Sequence, residues 1–527
     1  MKPEFPQKPD DRHYLWHLGF EKDGQTETPL ALEGIEDVWE GARGKDAVTV
    51  AIIDTGIDTD HPNLCGAVTE PQIDFGPSLN GVIYKPRERP LRDLREALLA
   101  GETISKDTLR KVRDAIKTRR EKTNRSKRLK ALDAEIKRLG SRTELTKDDN
   151  IALYKELFER EPPKDKAESR TKGVRSLGDN LSEDLQSEWY TIVKALMAPS
   201  EKLKMDDPSS YFGAHGTACA GLVGARAPKP GGRVGPIPYF GVNPFCKIRS
   251  YATPYSHEFL PIIHALIDVL LSDAEVVLIP RGVPNMDALS HFAQKSGHTT
   301  RITTNRGERT LQFDDQAQFD KLKKHQAILE GLLKLTASRK YLVLAAGNDG
   351  LPDEFSYPAQ ALKDDCNVFI VGARNSLGHC SAYTNGKMSD KTLWMLSDDS
   401  VMFDNDTWSL DERSFVGSDF SYDPHMSQQH KKNTYDPWGI MSLDVRGNYG
   451  YSAGGHEDPR YGDEDLETRG LYSIFGGTSA ASSLMAGLIA LLVQAEEIEP
   501  TPEKAKAVVA IKQFYKLLDE REPMNPN

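Results

Sequence analysis

Four short stretches of the sequence carry side chains whose types suit hydrolysis by an activated serine. Asp54 ends an apolar run, and His215 begins a run of small residues. Asn348 follows a second apolar run, and Ser479 follows two glycines at the start of an Ala- and Leu-rich segment. A serine hydroxyl attacks at neutral pH only when a base takes its proton, and a carboxylate-oriented histidine is such a base. An N–H donor must also stabilise the oxyanion, so the chain offers one candidate for each role.

Each candidate also has an ordinary structural explanation. Asp54 can begin a turn, His215 can be a buried histidine with a hydrogen-bond partner, and Asn348 can belong to a plain Asn-Asp-Gly turn. Thr478 or Ser479 can cap a helix, which is a frequent role of these residue types at a helix start. Considered singly, each structural explanation competes with catalysis. The presence of all four residues in one chain favours catalysis.

The elements that must position these residues alternate between strands and helices. Apolar, often β-branched runs predict buried strands at 45–53, 247–251, 274–279, 341–346 and 367–372. Helical spacing of apolar residues predicts helices at 258–271, 316–340 and 502–518. This alternation predicts an α/β fold with a doubly wound, mostly parallel sheet and helices on both faces. Sites in such sheets lie beyond the carboxyl ends of the strands, where Asp54 and Asn348 stand.

Composition and charge exclude several classes of function. With 527 residues, the chain can build a large core that carries insertions. The formal net charge of −11 argues against a nucleic-acid-binding protein. Five widely spaced cysteines without a Cys-x-x-Cys pair predict reduced thiols and no metal site. Since no apolar run approaches the roughly 20 residues of a membrane span and the first residues are polar, we expect a cytoplasmic protein without a membrane segment.

Residues 86–204 are predicted to form a charged helical insertion. Helical spacing predicts helices near 148–160 and 182–197, and the polar stretch 162–177 between them is typical of a flexible linker. Residues 101–140 contain 14 Lys and Arg against 6 Asp and Glu, a local excess of +8. Such a run is usually a solvated helix face, and the alternative is a docking arm for a regulatory protein or an acidic surface.

A second irregular stretch lies at about 388–470. It is rich in Asp, Ser, Gly and aromatic residues, and it carries six acidic residues between 457 and 467. Its length exceeds that of an ordinary connection, so we expect either a functional rim or lid or a solvated surface loop.

The four stretches resemble, in the same order, the signature blocks of the subtilisin-like serine peptidases. They are residues 50–58, 215–217, 345–348 and 477–481. The resemblance implies that Asp54 orients the base and that His215 acts as general base and acid. It also implies that Ser479 attacks the peptide carbonyl, and that Asn348 and the Ser479 backbone N–H form the oxyanion hole. The implied activity is that of a serine endopeptidase working through an acyl-enzyme, with a protein or peptide as substrate.

The resemblance covers about residues 16–81 and 211–518, and it implies a division of the chain into three parts. Residues 1–85 and 205–527 together form a subtilisin-like catalytic domain. Residues 86–204 form the insertion, which we expect to regulate or target the activity. Residues 1–13 are expected to act as a short N-terminal guard of the active site, a hypothesis that unchanged activity after their removal would reject. The alternatives are a catalytically weak or inactive binding or scaffold protein with this fold, and an insertion that binds nucleic acid.

One departure from the family pattern concerns substrate binding. Where relatives commonly have Ser-Leu-Gly beside the first specificity pocket, this chain has Pro280-Arg281-Gly282. We expect Arg281 and Gly282 to bind substrate, with the guanidinium favouring acidic substrate residues through paired hydrogen bonds. The alternative is that Arg281 turns outward into solvent.

Two further departures concern a metal site and the nucleophile helix. The aspartate that the family usually places after His61-Pro62 is Asn63, and the loop 227–238 contains no carboxylate. Calcium requires several oxygen ligands, so the usual family site is degraded and we expect no required cofactor. The acidic residues 457–467 remain an alternative place for a calcium ion. Ser483 stands where the family usually has a proline, four residues after the nucleophile.

Overall fold

The structure is a computed structural model, and it describes the greater part of the chain. The described residues are 13–18, 32, 34–64, 66–69, 89–99, 102–116, 124–139, 145, 147–158, 173–196, 211–227, 239–253, 259–283, 285–286, 299–304, 307–312, 316–365, 367–375, 378, 380–381, 383–398, 400–402, 408–410, 440–445, 450–451 and 471–514. The proposed guard up to residue 12, most of the predicted linker and the acidic residues 457–467 lie outside them.

A parallel seven-stranded sheet forms the centre of the fold. Strands β1 to β13 span Thr49–Asp54, Val68–Thr69, Lys247–Ala252, Val276–Ile279, Thr299–Thr304, Gly307–Gln312, Tyr341–Ala345, Val368–Arg374, Thr392–Leu396, Ser400–Met402, Trp408–Leu410, Met441–Leu443 and Tyr472–Ile474. The strand order in the main sheet is β2-β3-β1-β4-β7-β8-β9, and all of its pairings are parallel. The remaining strands form three antiparallel pairs. The predicted α/β fold with a doubly wound, mostly parallel sheet is confirmed.

Helices cover both faces of the main sheet. Helices α1 to α13 span Ile35–Ala42, Arg89–Leu99, Lys106–Ile116, Asn124–Leu139, Lys147–Phe158, 173–177, Glu183–Leu196, His215–Gly224, Leu260–Leu271, Gln316–Arg339, Ala359–Leu362, Gly477–Gln494 and Lys504–Phe514. Successive residues of β1 point to opposite faces, as the pleat requires. Val50 and Ile52 join the core under α1, α8 and α12, whereas Ala51 and Ile53 join the core under α7, α9 and α10.

The helices between 86 and 204 do not share one hydrophobic core. Helices α2 to α5 form a separate cluster, in which Leu94, Leu109, Leu132 and Tyr154 are buried together. Helices α6 and α7 instead contribute Val174, Leu177, Trp189 and Ile192 to the core on the α9 and α10 face of the main sheet.

The prediction of a flexible linker at 162–177 is wrong for its last five residues, 173–177. They are helical, and buried Val174 and Leu177 anchor them to the main core. Two apolar residues among many polar ones give little periodic signal, so only tertiary packing reveals this helix.

One helix in the described residues is long and apolar enough to cross a membrane by composition. It is α12, Gly477–Gln494, and 94% of the apolar window is buried inside the protein. Its apolar surface is therefore part of the core, where it packs against α8 and the sheet.

Candidate active site

Asp54 and His215 form a buried pair at the carboxyl end of the sheet. Asp54 is the last residue of β1, and His215 is the first residue of α8. The Nδ1 atom of His215 lies 3.0 Å from Oδ1 and 2.9 Å from Oδ2 of Asp54. Because Nδ1 faces a carboxylate, it is the nitrogen that carries the proton, and Nε2 is left as the proton acceptor.

The sequence around this pair explains why the two segments meet. The Thr55 hydroxyl accepts the Gly216 N–H at 3.0 Å, and the Thr217 hydroxyl accepts the Asp58 N–H at 3.0 Å. A Cβ at Gly216 would lie 2.3 Å from the Gly56 carbonyl oxygen, so only glycine permits this approach. The Asp-Thr-Gly and His-Gly-Thr stretches are thus complementary surfaces that place the imidazole against the carboxylate.

The electrostatics of the pair favour an ionised Asp54. Burial raises the pKa of Asp54, but the charge and hydrogen bond of His215 lower it. The positive charge of Arg281 and the Thr55 N–H, which lies 2.7 Å from Oδ1, lower it further. The net result is a pKa below the usual range of an aspartate.

Ser479 lies in the first turn of α12. The helix begins at Gly477 with φ 76°, a left-handed conformation that favours glycine. Its N-cap is Gly476, so the structural explanation of Thr478 or Ser479 as the cap is wrong. Ser479 is buried, and its hydroxyl donates a 2.7 Å hydrogen bond to the Pro280 carbonyl oxygen.

Helix α8, which begins with His215, packs against α12, which carries Ser479 in its first turn. Cys219 follows His215 by four residues, and its Sγ lies 3.7 Å from the His215 Nδ1. Ser483 follows Ser479 by four residues, and its hydroxyl donates to the Ser479 carbonyl oxygen at 2.7 Å. Residues four apart share one helix face, so Cys219 lies on the His215 face of α8 and Ser483 lies on the Ser479 face of α12.

Asn348 lies on the loop after β7 and contacts the start of α12. Its Oδ1 accepts the Thr478 N–H at 2.9 Å and the Thr478 hydroxyl at 2.8 Å. These bonds orient the amide so that Nδ2 is the remaining donor, and a Cβ at Gly477 would lie 2.9 Å from it. In the part of the chain that the structure describes, neither Nδ2 nor the Ser479 N–H has a hydrogen-bond partner, so two donors are available to an oxyanion.

Arg281 is buried between β3, β4 and the Asp54 pair, so the alternative of an outward-turned side chain is wrong. Only 6% of its surface is exposed, and Nη2 donates to the carbonyl oxygen of Thr253 at 3.1 Å and to its hydroxyl. The Thr253 N–H in turn donates to the Asp54 carbonyl oxygen at 2.6 Å. Its neighbour Gly282 lies beside Ser356, whose Cβ would be 3.4 Å from a Cβ at the glycine.

One group of potential metal ligands occurs among the described residues, and it coincides with this site. The ligand atoms of Asp54, His215 and Cys219 lie within 4.8 Å of one another. Burial and the nearby Asp54 charge raise the pKa of the Cys219 thiol well above its usual value. A protonated thiol is a poor metal ligand, and the imidazole nitrogen nearest to it already faces the carboxylate.

Asn63 occupies the position where the family usually has an aspartate. Its Nδ2 donates to the carbonyl oxygens of Arg226 at 3.1 Å and Tyr239 at 3.4 Å. Its Oδ1 accepts the Tyr472 hydroxyl at 2.7 Å. An amide NH₂ between two carbonyl oxygens fills the space that a cation would need, so these residues do not fit calcium.

Thr253 and Thr478 hold the site residues in place, and neither was predicted from the sequence to belong to the site. Thr478 lies inside the block 477–481, and it contacts Asn348 because that block lies against the block 345–348. Thr253 follows β3 in a stretch without a motif, so no sequence signal identifies it.

The chain matches a known protein family. The sequence model of the subtilase family matches residues 45–516. No curated protein sequence matches the chain.

Solved structures with a similar fold include three proteases. An epidermin leader peptide processing serine protease from Staphylococcus aureus is 13% identical, with 97% of this chain and 78% of that chain covered and a TM-score of 0.42. The nisin leader peptidase from Lactococcus lactis is 12% identical, with 95% and 87% covered and a TM-score of 0.40. A cold adapted subtilisin-like serine proteinase is 12% identical, with 91% and 83% covered and a TM-score of 0.34. Because these TM-scores are low, the assignment of the chain to a family rests on the match to the sequence model.

Proposed function

Because the chain belongs to the subtilase family of serine peptidases, we propose that it is an endopeptidase whose catalytic triad is Asp54, His215 and Ser479. The observation that carries the proposal is the hydrogen bond between His215 Nδ1 and the buried Asp54 carboxylate. The packing of α8, which carries His215, against α12, which carries Ser479, supports it.

Acylation begins when the Ser479 hydroxyl turns from the Pro280 carbonyl to His215 Nε2. His215 takes the proton as the Ser479 Oγ attacks the substrate carbonyl, and the ionised Asp54 stabilises the imidazolium that forms. Asn348 Nδ2 and the Ser479 N–H donate hydrogen bonds to the oxyanion. His215 then protonates the leaving amine, and the acyl group remains on Ser479.

Deacylation repeats these steps with water in place of the amine. His215 takes a proton from the water, which attacks the acyl carbonyl, and the same two donors stabilise the second oxyanion. Collapse of this intermediate returns the proton from His215 to Ser479. The acid product leaves, and the hydrogen bond to Asp54 is unchanged throughout.

Substrate binding is proposed to involve Arg281 and Gly282. The backbone at Gly282 lies at the carboxyl end of β4, beside the Pro280 carbonyl that holds the Ser479 hydroxyl. The Arg281 guanidinium is buried and bonded to Thr253, so its positive charge, and not a direct contact, would favour acidic side chains in the bound peptide. We propose that the substrate is a protein or peptide and that its hydrolysis requires no cofactor.

The insertion 86–204 is proposed to bind a regulatory protein. Its helices α2 to α5 have their own hydrophobic cluster, which allows them to act as a separate module. A scaffold protein without turnover is the competing function. The paired His215 and Asp54 favour the enzyme, because a scaffold has no need for this buried pair.

A cleavage-site profile tests the proposed function. Denatured protein is incubated with the wild-type chain, and new termini are identified by mass spectrometry, with Ser479→Ala as the blank. We expect internal cleavages that are absent from the blank, and an excess of Asp or Glu near the cleaved bond. A profile with only large apolar residues would reject the acidic preference. Peptide binding without new termini would favour the scaffold.

A second proposal concerns stability at Asn63. We propose that its amide cross-links the segments of Arg226, Tyr239 and Tyr472 in place of a cation. Asn63→Ala removes these three hydrogen bonds, at a cost of about 2–4 kcal/mol. The melting temperature should therefore fall by about 2–4 °C.

Chelation separates this proposal from calcium binding through Asn63. The difference in melting temperature between wild type and Asn63→Ala should be the same in calcium and in EDTA, because hydrogen bonds alone create it. A difference that disappears in EDTA would show that Asn63 acts through a bound cation.

A further inference from the structure

The turn that precedes Ser479 is fixed by side chains from outside the recognised blocks. The Gly477 N–H donates to the Tyr383 hydroxyl at 3.1 Å, and the Ser397 hydroxyl donates to the Gly477 carbonyl oxygen at 2.9 Å. Tyr383 and Ser397 are both buried. Both polar groups of the left-handed glycine therefore have a side-chain partner, and both partners come from the β8 and β9 side of the sheet.

Asp398, a buried aspartate, orients the Tyr383 hydroxyl. The hydroxyl oxygen lies 2.8 Å from the Asp398 carbonyl oxygen and 3.1 Å from its Oδ1. The Ser397 hydroxyl, which donates to Gly477, also lies 2.9 Å from the Tyr383 oxygen, so the Tyr383 proton is shared between Asp398 and Ser397 and a lone pair accepts the Gly477 N–H. A hydroxyl that donates to a strong acceptor is itself a better acceptor, so the hydrogen bonds that link Asp398, Tyr383 and Gly477 strengthen one another.

These bonds also determine where Asn348 points. The peptide unit between Gly477 and Thr478 is held at both ends, because its oxygen accepts from Ser397 and its N–H donates to Asn348 Oδ1. The Thr478 N–H thus orients the Asn348 amide, and the next peptide unit supplies the Ser479 N–H. Both proposed oxyanion donors depend on the orientation of this turn.

We propose that Tyr383 is a positioning residue for the oxyanion hole, acting with Ser397 and Asp398 through the Gly477 turn. This rests on the proposed endopeptidase function and names residues on which its rate depends. Oxyanion donors stabilise the transition state more than the bound substrate. Loosening the turn therefore lowers kcat and leaves KM nearly unchanged.

Tyr383→Phe tests the proposal by removing only the hydroxyl. We expect kcat for a peptide substrate to fall about tenfold, with KM within about twofold of wild type. Tyr341→Phe is the matched control, because the Tyr341 hydroxyl also donates to a backbone carbonyl, that of Glu499, at 2.8 Å. It should leave kcat unchanged, since β7 begins at Tyr341 and the site lies beyond the other end of that strand.

Ser397→Ala keeps the test decisive if Tyr383→Phe folds poorly. It should lower kcat in the same way, and the double variant should lose less than the product of the single losses, because both act on one turn. If the wild type is active, the inference is overturned by a wild-type kcat in Tyr383→Phe. Where Tyr383→Phe does not fold, a wild-type kcat in Ser397→Ala overturns it. A change in KM alone also overturns it. A wild type that hydrolyses no peptide overturns the proposed function and this inference together.

Discussion

Ser479→Ala should lower kcat/KM for peptide hydrolysis by about 10⁵- to 10⁶-fold, since it removes the only attacking atom in the proposed mechanism. The change deletes one buried oxygen whose hydrogen bond runs to the Pro280 carbonyl. Helix α12 is otherwise untouched, so the protein should remain folded with a similar melting temperature. Steady-state hydrolysis of a chromogenic peptide measures the effect.

Ser482→Ala is the matched control for this variant. Ser482 is a fully buried serine on the same helix, and its hydroxyl donates to the Ser479 carbonyl oxygen at 3.1 Å. It should retain activity within about tenfold of wild type, since it loses one ordinary hydrogen bond. Comparable loss in both variants would mean that disruption of the helix, and not loss of the nucleophile, explains the first result.

Asp54→Asn should lower kcat by about 10⁴-fold at neutral pH. An amide can present its NH₂ group to His215 Nδ1, which places the imidazole proton on Nε2 and removes the base that Ser479 needs. The loss of the carboxylate also removes the charge that stabilises the imidazolium. Asp58→Asn is the control, because Asp58 is a buried aspartate in the same block whose carboxylate accepts the Asp60 N–H at 3.3 Å. It should retain far more activity.

The depressed pKa of Asp54 also predicts how stability depends on pH. A carboxyl whose pKa is lower in the folded state binds fewer protons there than in the unfolded chain. Its contribution to the free energy of unfolding is fully present above the unfolded value of about 4 and is lost as the pH falls through the folded value. Urea unfolding of wild type and Asp54→Asn should therefore differ most near neutral pH and less in acid. A difference that grows in acid would contradict the lowered pKa.

The sequence predicted the sheet because its strands carry strong local signals. The apolar runs that contain β1, β4, β7 and β8 are bounded by turn residues, and each is buried in the structure. The pairing of Asp54 with His215 was also predictable, because each lies in a block of fixed residue types next to a strand or helix end.

The parts that the sequence did not predict depend on contacts between distant segments. Nothing near Arg281 in the sequence indicates that its guanidinium binds Thr253 behind Asp54. Tyr383 is 94 residues from Gly477, and its hydroxyl contacts the turn. The helix at 173–177 has too few apolar residues for a periodic signal, yet it packs on the main core.

The most direct test of the catalytic assignment is covalent labelling by a fluorophosphonate, which reacts with an activated serine. The wild-type chain is labelled and digested, and the adduct is located by mass spectrometry, with Ser479→Ala labelled in parallel. The proposed triad predicts one adduct, on Ser479, and none in the variant. An unlabelled wild type, or an adduct on another residue that persists in Ser479→Ala, would contradict the assignment of Ser479 as the nucleophile.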